Sequence, residues 1–190
     1  ALFLGLLLGI GAVVAIDVLE DRIAGPEDVE GQGVPVLAVV PHMKSANRTE
    51  VATATIRQRL HEVVEAFAGL GNMLDSPRHK DRSQVLLVAS SIPGEGKTIT
   101  SCNLAAALAK KGRRVLLVDF DLRRPRLAGI FPMPAQRLGL LDALTRNVGD
   151  FGQLPYPAAD CPRLDVIASR PNHGASPLEA VGAPAAAGLL

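Results

Sequence analysis

The first hydrophobic run of the chain is apolar on every face. Residues 1–16, ALFLGLLLGIGAVVAI, carry no charge before Asp17. As a helix they would span about 24 Å at 1.5 Å per residue, a little short of the roughly 30 Å hydrocarbon core of a bilayer. Their flanks do not match a signal peptide. We interpret the run as the end of a transmembrane helix, with a buried core helix as the alternative.

The remaining pattern alternates between helical and strand-like segments. Residues 50–74 place apolar side chains at helical spacing, and a helix is predicted over 98–110 with Leu104, Ala105 and Leu108 on one side and Gly112 as its stop. A short helix is predicted over 138–144. Short apolar runs predict strands over 85–88, 115–118 and 164–168. We expect the strand over 85–88 to be buried. Alternation of this kind predicts an α/β fold with a parallel sheet, which these strands leave incomplete.

Composition excludes several classes of function. The net charge is +1, aromatic residues make up 3%, and there is no Trp, so a nucleic-acid surface is not expected. Cys102 and Cys161 are too few for a disulfide framework or a metal box. The four histidines have no metal-binding spacing.

A candidate phosphate loop lies in VLLVASSIPGEGKT, residues 85–98. Gly96, Lys97 and Thr98 fill the last three positions of G-x-x-x-x-G-K-[ST], and Ser91 replaces the first glycine. Gly94 and Gly96 allow backbone N–H groups to turn toward phosphate oxygens at a helix N-terminus. In such a loop the lysine reaches the β and γ phosphates and the threonine hydroxyl binds Mg²⁺. An ordinary Gly-rich turn is the alternative.

Two carboxylates end the second strand, in RRVLLVDFDLRRP, residues 113–125. Asp119 and Asp121 occupy alternate positions, so their side chains can leave the strand on the same side. Carboxylates at this place can hold Mg²⁺ or accept a proton from an attacking hydroxyl. Solvated charges at the start of a loop are the alternative. The arginines that follow are candidates for phosphate or acidic-partner contacts, or for a plain solvated loop: Arg123, Arg124 and Arg126.

The two motifs together closely resemble the Walker A and Walker A′ motifs of bacterial tyrosine kinases (BY-kinases). The resemblance lies in IPGEGKT, with Pro93 and Glu95, and in VLLVDFDLRRP after it. These are the cytoplasmic domains of polysaccharide co-polymerases that control capsule and exopolysaccharide chain length. The upstream linker is also similar, with the acidic pair Glu27 and Asp28 before GVPVLAVVP. So is the segment SRPNHGASPLEAV near the end of the chain.

The resemblance implies a MinD/ParA-like P-loop NTPase fold and an ATP-dependent protein tyrosine (auto)kinase of the bacterial inner membrane, with its P-loop domain in the cytoplasm. ATP and Mg²⁺ are the implied cofactors, and other copies of the chain, polysaccharide export proteins and membrane lipid the implied partners. The implied organisation is a transmembrane end at 1–17, a juxtamembrane linker at 18–48, a helical segment at 49–80, and a kinase domain at 81–190 that lacks its C-terminal part. The implied catalytic residues are Lys97, Asp119 and Asp121, the metal ligands are Thr98, Asp119 and Asp121, and the nucleotide-binding residues are Gly94, Glu95, Gly96, Lys97, Thr98 and Ile99.

Three departures from the family pattern accompany this resemblance. The E-x-x-R-x-x-R motif used for ring assembly keeps Glu65 but has Ala68 and Gly71 in place of the arginines. No Walker B strand is found. There is no tyrosine cluster, and Tyr156, the single tyrosine, is expected to be a loop side chain rather than a phosphoacceptor.

Two alternatives therefore stay open beside the kinase. One is a non-catalytic ATP-binding regulator of a co-polymerase. The other is a MinD/ParA-like ATPase switch. Ile92 argues against it, because those proteins place an extra lysine at this position. We expect these 190 residues alone to be a poor kinase, because their sheet is incomplete.

Overall fold

The computed structural model describes residues 3, 5–6, 9–12, 23, 25–43, 47–75, 83–146 and 148–170. The chain divides into two compact units, Ala1–Val39 and Val40–Leu190. In the first unit the described residues between 3 and 12 are helical and exposed, and a short helix, α1, covers Pro26–Glu30. No helix within the described ranges is long and apolar enough to cross a membrane. Most of the predicted membrane segment, 1–17, lies outside those ranges.

The helical spacing over residues 50–74 is confirmed, but three helices share the segment. They are α2 (Arg48–Ala52), α3 (Ala54–Arg57) and α4 (His61–Leu74). The Gln58 and Arg59 amides both donate to the Ala54 carbonyl, which closes α3 in a left-handed turn. Leu60 is also left-handed, and its side chain packs against the core cluster formed by α4 and the next helix. Tertiary packing therefore breaks a run whose periodicity is continuous.

Helix α5 (Lys97–Lys110) is buried on two sides. Cys102, Ala105, Ala106 and Ala109 belong to the cluster beneath the sheet, whereas Leu104, Ala107 and Leu108 pack with Val63 and Phe67 of α4. The prediction that Leu104, Ala105 and Leu108 share one side is thus wrong for Ala105, because the small side chains let two layers approach the helix. Gly112 follows the helix with φ of 93°, as predicted for its stop.

The sheet is mixed rather than parallel. It contains β1 (Val115–Val118), β2 (Tyr156–Pro157) and β3 (Leu164–Ile167) in the order β1-β3-β2. β1 and β3 are parallel, with Val115 opposite Leu164 and Val118 opposite Ile167. β2 is antiparallel to β3, because the chain returns through only residues 158–163, which is too short for a parallel crossover.

The predicted buried strand over residues 85–88 does not form. Val85 is 93% exposed and Leu87 is 88% exposed. No described strand pairs with this run, and none pairs with the edge of β1 that faces away from β3. A strand without a paired neighbour gains no ladder hydrogen bonds, so the run is irregular despite its composition.

The remaining helices close one end of the sheet. They are α6 (Leu127–Ile130) and α7 (Leu140–Thr145), and a 3₁₀ turn covers Phe151–Gln153. The helix predicted over 138–144 is therefore confirmed with slightly shifted ends. The Leu140 amide donates to the Ala168 carbonyl, and the Leu141 amide donates to Ser169 Oγ. Gly139 makes this approach possible, since a Cβ there would lie 3.1 Å from the Ser169 Cα.

Candidate nucleotide-binding site

The predicted phosphate loop connects residues 85–90 to the start of α5. Gly94 and Gly96 have φ of 96° and 102°, the left-handed region that glycine adopts without a steric cost. A Cβ at either position would meet open space, so backbone conformation is what requires glycine here. α5 begins at Lys97, directly after the second of them. Its first amides therefore point toward the loop, as at other helix N-termini.

Lys97 joins the two ends of this loop. Its Nζ donates a 2.8 Å hydrogen bond to Ser90 Oγ, and Ser90 Oγ donates a 2.9 Å bond to the Ile92 carbonyl. The ammonium group is thus turned back over the loop instead of extending into solvent. A positive charge in this place would attract an anion bound in the loop.

Glu95 occupies donors inside the same loop. Its carboxylate accepts hydrogen bonds from the Ser91 hydroxyl at 3.2 Å and from the Ile92 amide at 3.4 Å. Ser91, which replaces the usual glycine, therefore orders the loop through Glu95. A phosphate group bound here would compete with this carboxylate for the Ile92 amide.

Asp119 directly follows β1 and is almost fully buried. Its Oδ2 accepts hydrogen bonds from the Arg126 and Leu127 amides at 2.8 and 2.9 Å, and its Oδ1 accepts one from the Asp121 amide at 3.2 Å. A carboxylate has about four acceptor positions. The described bonds use three of them and leave one, on Oδ1.

Asp121 and the arginines after it are more exposed. Asp121 Oδ1 accepts a 3.1 Å bond from the Arg124 amide, while the side chains of Arg123, Arg124 and Arg126 face solvent. Arg126 also borders a cavity of about 400 Å³ that contains none of the loop residues 90–98.

The negative charge of Asp119 affects the pKa of one residue on α5 and of one on β2. Burial and, to a smaller extent, the negative charge of Asp119 raise the pKa of Cys102 to about 12. Burial and then the charge of Asp119 likewise raise the pKa of Tyr156 to about 12, against the opposing charge of Arg170. Asp119 therefore lies where the sheet, α5 and α6 meet.

Tyr156 is not a loop side chain. It lies on β2, is 3% exposed, and donates a 2.9 Å hydrogen bond from its hydroxyl to the Phe131 carbonyl. The sequence suggested a loop because prolines flank it, but pairing of β2 with β3 draws its ring into the core. Its burial agrees with the expectation that it is not a phosphoacceptor.

The structure keeps the two predicted halves of the site as separate hydrogen-bonded networks. Within the described residues, no hydrogen bond or ion pair joins the loop 90–98 to Asp119 or Asp121, and no three His, Cys, Asp or Glu side chains are grouped to hold a metal. Thr98 lies in the first turn of α5, and Ile99 packs against the core beneath the sheet. Mg²⁺ in nucleotide sites takes only one or two carboxylates, with water and phosphate oxygens completing its shell. The Thr98 hydroxyl and the remaining position on Asp119 Oδ1 are oxygen donors of the kind that such a shell uses.

The family's ring motif falls on α4. Glu65 is exposed and lies 3.1 Å from His61 Nε2, and Ala68 is also exposed. Gly71 is buried, and a Cβ there would lie 3.5 Å from the Ala107 Cβ of α5. The last position of the motif is therefore part of the α4–α5 contact in this chain.

Several polar groups near the site were missed from sequence. They are Ser90, the Arg126 and Leu127 amides, and Asn103, which is fully buried in α5. The backbone amides have no sequence signal. Asn103 does have one, because it is a polar residue in the otherwise apolar helix segment CNLAAALA, and buried amides of this kind require partners.

Comparisons with known proteins agree with this geometry. The model of the CobQ/CobB/MinD/ParA nucleotide binding domain matches residues 86–168. The tyrosine-protein kinase etk of Escherichia coli K12 is 27% identical over 173 residues, which cover 79% of this chain and 24% of that protein. The succinoglycan biosynthesis transport protein ExoP of Rhizobium meliloti is 37% identical over 94 residues, which cover 50% of this chain and 11% of ExoP.

A solved structure supports the fold. The kinase domain of the Escherichia coli tyrosine kinase ETK superimposes with a TM-score of 0.68 at 23% identity, covering 84% of this chain and 65% of that domain. The chain spans about a quarter of the length of etk, so it corresponds to one part of such a protein. These matches show that the chain is a homologue of bacterial tyrosine kinases, with residues 86–168 matching a nucleotide-binding domain.

Proposed function

We propose that the chain binds ATP–Mg²⁺ as part of a protein tyrosine (auto)kinase that regulates exopolysaccharide or capsule polymerisation and export. The observation that carries this proposal is the loop 90–98, in which two left-handed glycines lead into α5 and the Lys97 ammonium folds back over the loop. The names of the relatives, a tyrosine kinase and a succinoglycan transport protein, support the same function.

Each site residue has a role in this proposal. The loop Gly94–Thr98 and the first turn of α5 hold the phosphates, with Lys97 on the β and γ groups and Thr98 toward the metal. Glu95 leaves the Ile92 amide when a phosphate takes its place, and Ile99 supports the loop from the core. When bound, Mg²⁺ neutralises phosphate charge. Asp119 would offer its one remaining Oδ1 position to the metal, and it would accept the proton of the incoming tyrosine hydroxyl after one of its amide bonds opens. Asp121 would support the metal's water shell.

The proposal also covers the setting of the domain. The apolar run 1–16 supports attachment to the inner membrane through the end of a transmembrane helix, which would bring membrane lipid into contact with residues 1–17. Residues 18–48 and 49–80 would then connect it to a cytoplasmic P-loop domain at 81–190. Other copies of the chain and polysaccharide export proteins are the proposed partners.

A second candidate is the non-catalytic ATP-binding regulator. Two observations favour it: three of the four acceptor positions of Asp119 are bonded to backbone amides, and the hydroxyl of Tyr156 is buried. In this case nucleotide binding would change assembly without transfer of phosphate.

ATP binding is tested with the purified chain and a fluorescent ATP analogue in the presence of Mg²⁺. We expect Lys97→Ala to lower affinity by at least about tenfold, which corresponds to the loss of one charge-assisted contact. Arg146→Ala is the control, since it removes an exposed basic side chain at the end of α7 and should leave affinity unchanged. Equal affinity of Lys97→Ala and the unaltered chain would contradict the phosphate-loop assignment.

The kinase and the regulator are separated by introducing Asp119→Asn and Lys97→Ala at the genomic locus. The kinase proposal expects both variants to abolish phosphotyrosine on the encoded protein and to shift polysaccharide length. For a regulator, phosphotyrosine is absent even in the unaltered strain, while Lys97→Ala still changes polysaccharide length.

A further inference from the structure

Asn103 makes an unusually complete set of hydrogen bonds for a buried side chain. It is fully buried in α5. Its Oδ1 accepts a 2.9 Å bond from the Thr55 amide, and its Nδ2 donates to the Val51 carbonyl at 2.7 Å and to the Ile99 carbonyl at 2.9 Å. The opposite amide orientation would face two carbonyls with an oxygen, so this network fixes the orientation.

Two of these backbone groups, the Thr55 amide and the Val51 carbonyl, would bond to each other in a continuous helix. An α-helix pairs each N–H with the carbonyl four residues earlier, which for Thr55 is Val51. Here α2 ends at Ala52 and α3 begins at Ala54, with Thr53 at φ −106° and ψ 12°. The Asn103 carboxamide is therefore inserted between the two groups and takes the place of the missing helix bond, a recognised cause of helix breaks.

This insertion fixes α2 and α3 to the helix that carries the phosphate loop. Ala52, Ala54 and Thr55 are buried around the break. A slip of α5 by one residue would leave the Thr55 amide and the Val51 carbonyl without partners in the core, which proteins avoid strongly. Along α5, Asn103 lies six residues, or about 9 Å, from Lys97, and its third bond goes to Ile99 in the first turn.

We propose that Asn103 is a positioning residue for the nucleotide site, which couples the α2–α3 break to the placement of Lys97 and Thr98. The inference rests on the proposed ATP binding. It predicts that the α2–α3 junction and the phosphate loop are coupled. Loss of the Asn103 bonds at the junction weakens nucleotide binding. Because such coupling is reciprocal, nucleotide binding stabilises the same bonds.

The first test compares two substitutions at the same junction. Asn103→Leu has a similar volume and removes all three bonds, and we expect Mg–ATP affinity to fall by at least about fivefold, the lower range of coupling between sites. Thr55→Val is the matched control. The Thr55 hydroxyl is buried without a partner among the described residues, so its removal leaves the bonds to Asn103 intact and affinity unchanged.

A third variant separates positioning from stability. Leu144→Ala opens the cluster around α7, which contains no residue of α5. It should lower the unfolding midpoint in urea with no loss of affinity. If Asn103→Leu is folded and binds Mg–ATP as tightly as the unaltered chain, the proposal is wrong.

A second test needs no substitution. Hydrogen exchange of the Thr55 amide in the unaltered chain should slow by at least about fivefold on saturation with Mg–ATP, while the Ala143 amide, bonded to Gly139 in α7, serves as reference. An unchanged Thr55 rate with nucleotide bound overturns the proposal, even if Asn103→Leu does not fold. If the unaltered chain and Lys97→Ala show the same failure to bind ATP, the proposed function itself fails and this inference with it.

Discussion

Asp119 and Leu127 are joined by a 2.9 Å hydrogen bond from the Leu127 amide to Asp119 Oδ2, which holds the start of α6 against the end of β1. The Arg126 amide donates to the same oxygen. A residue proposed to act on the metal and the tyrosine hydroxyl thus also closes the loop 119–127. The kinetics of any Asp119 variant therefore combine a loss of the proposed chemical role with a loss of loop structure.

We therefore expect Asp119→Asn to destabilise the fold by about 1–3 kcal/mol, because an amide cannot reproduce all of these charge-assisted acceptor bonds. Urea unfolding of the purified chain measures the loss. Asp121→Asn is the control, because Asp121 is exposed and accepts one described backbone bond, and it should change stability by less than about 0.5 kcal/mol. Equal stability of the two variants would show that the Asp119 bonds contribute little to the fold.

Tyr156→Phe is expected to cost about 1 kcal/mol of unfolding free energy, since it removes the hydroxyl and leaves the buried Phe131 carbonyl without this donor. The same burial predicts that Tyr156 stays unphosphorylated when the folded chain is incubated with an active tyrosine kinase and ATP, as measured by mass spectrometry of tryptic peptides. Urea-unfolded chain, diluted and treated in the same way before refolding, is the positive control. Phosphate on Tyr156 of the folded chain would contradict the packing of β2.

α5, β1 and β3 were predicted close to their observed bounds. α5 has a clear helical period and a clear stop, and the two apolar runs form strands because they pair with each other. The run 85–88 was not, because its apolar composition indicates a strand only when a neighbour is present to pair with it. β2 was also missed, since two residues give no period and its direction depends on a short return to β3.

The candidate site divides in the same way. The positive φ angles of Gly94 and Gly96 follow from the local turn and could be predicted. The partners of Asp119, at residues 126 and 127, are backbone amides with no side-chain signature. The bonds of Asn103 to Val51 and Thr55 cross about fifty residues of sequence. Such links depend on how α2, α3 and α5 pack, which periodicity alone does not specify.

Asp75 predicts how stability changes in acid. It caps the end of α4 and lies 2.7 Å from Arg113 and 3.3 Å from Lys111. The hydrogen bond from Arg113 is the largest cause that lowers the pKa of Asp75 below its ordinary value of 3.8, and Lys111 adds to it against partial burial. A carboxyl with a lowered pKa stabilises the fold above its unfolded pKa, and this contribution is lost as the pH falls through the folded value.

We therefore expect Asp75→Asn to be less stable than the unaltered chain at pH 7 and to approach it below about pH 4, where the carboxyl becomes protonated in the unfolded chain. Urea midpoints measured between pH 7 and pH 3 test this. Glu65→Gln, which changes an exposed carboxylate on the same helix, is the control and should show a smaller difference. A difference between Asp75→Asn and the unaltered chain that stays constant over this range would exclude the ion pair as its source.

We expect arginine to have different effects on the unfolding free energy at Gly71 and at Ala68. The family that the chain resembles carries arginine at both positions. Ala68 is exposed on α4, so Ala68→Arg should change the unfolding free energy by less than about 0.5 kcal/mol. Gly71 faces Ala107 across the α4–α5 contact, where a long charged side chain must push the helices apart, so Gly71→Arg should cost more than about 2 kcal/mol. Gly71→Ala is the matched control, since its Cβ would make an ordinary 3.5 Å contact. Urea unfolding compares the three, and a Gly71→Arg chain as stable as Ala68→Arg would mean that α4 turns this position toward solvent.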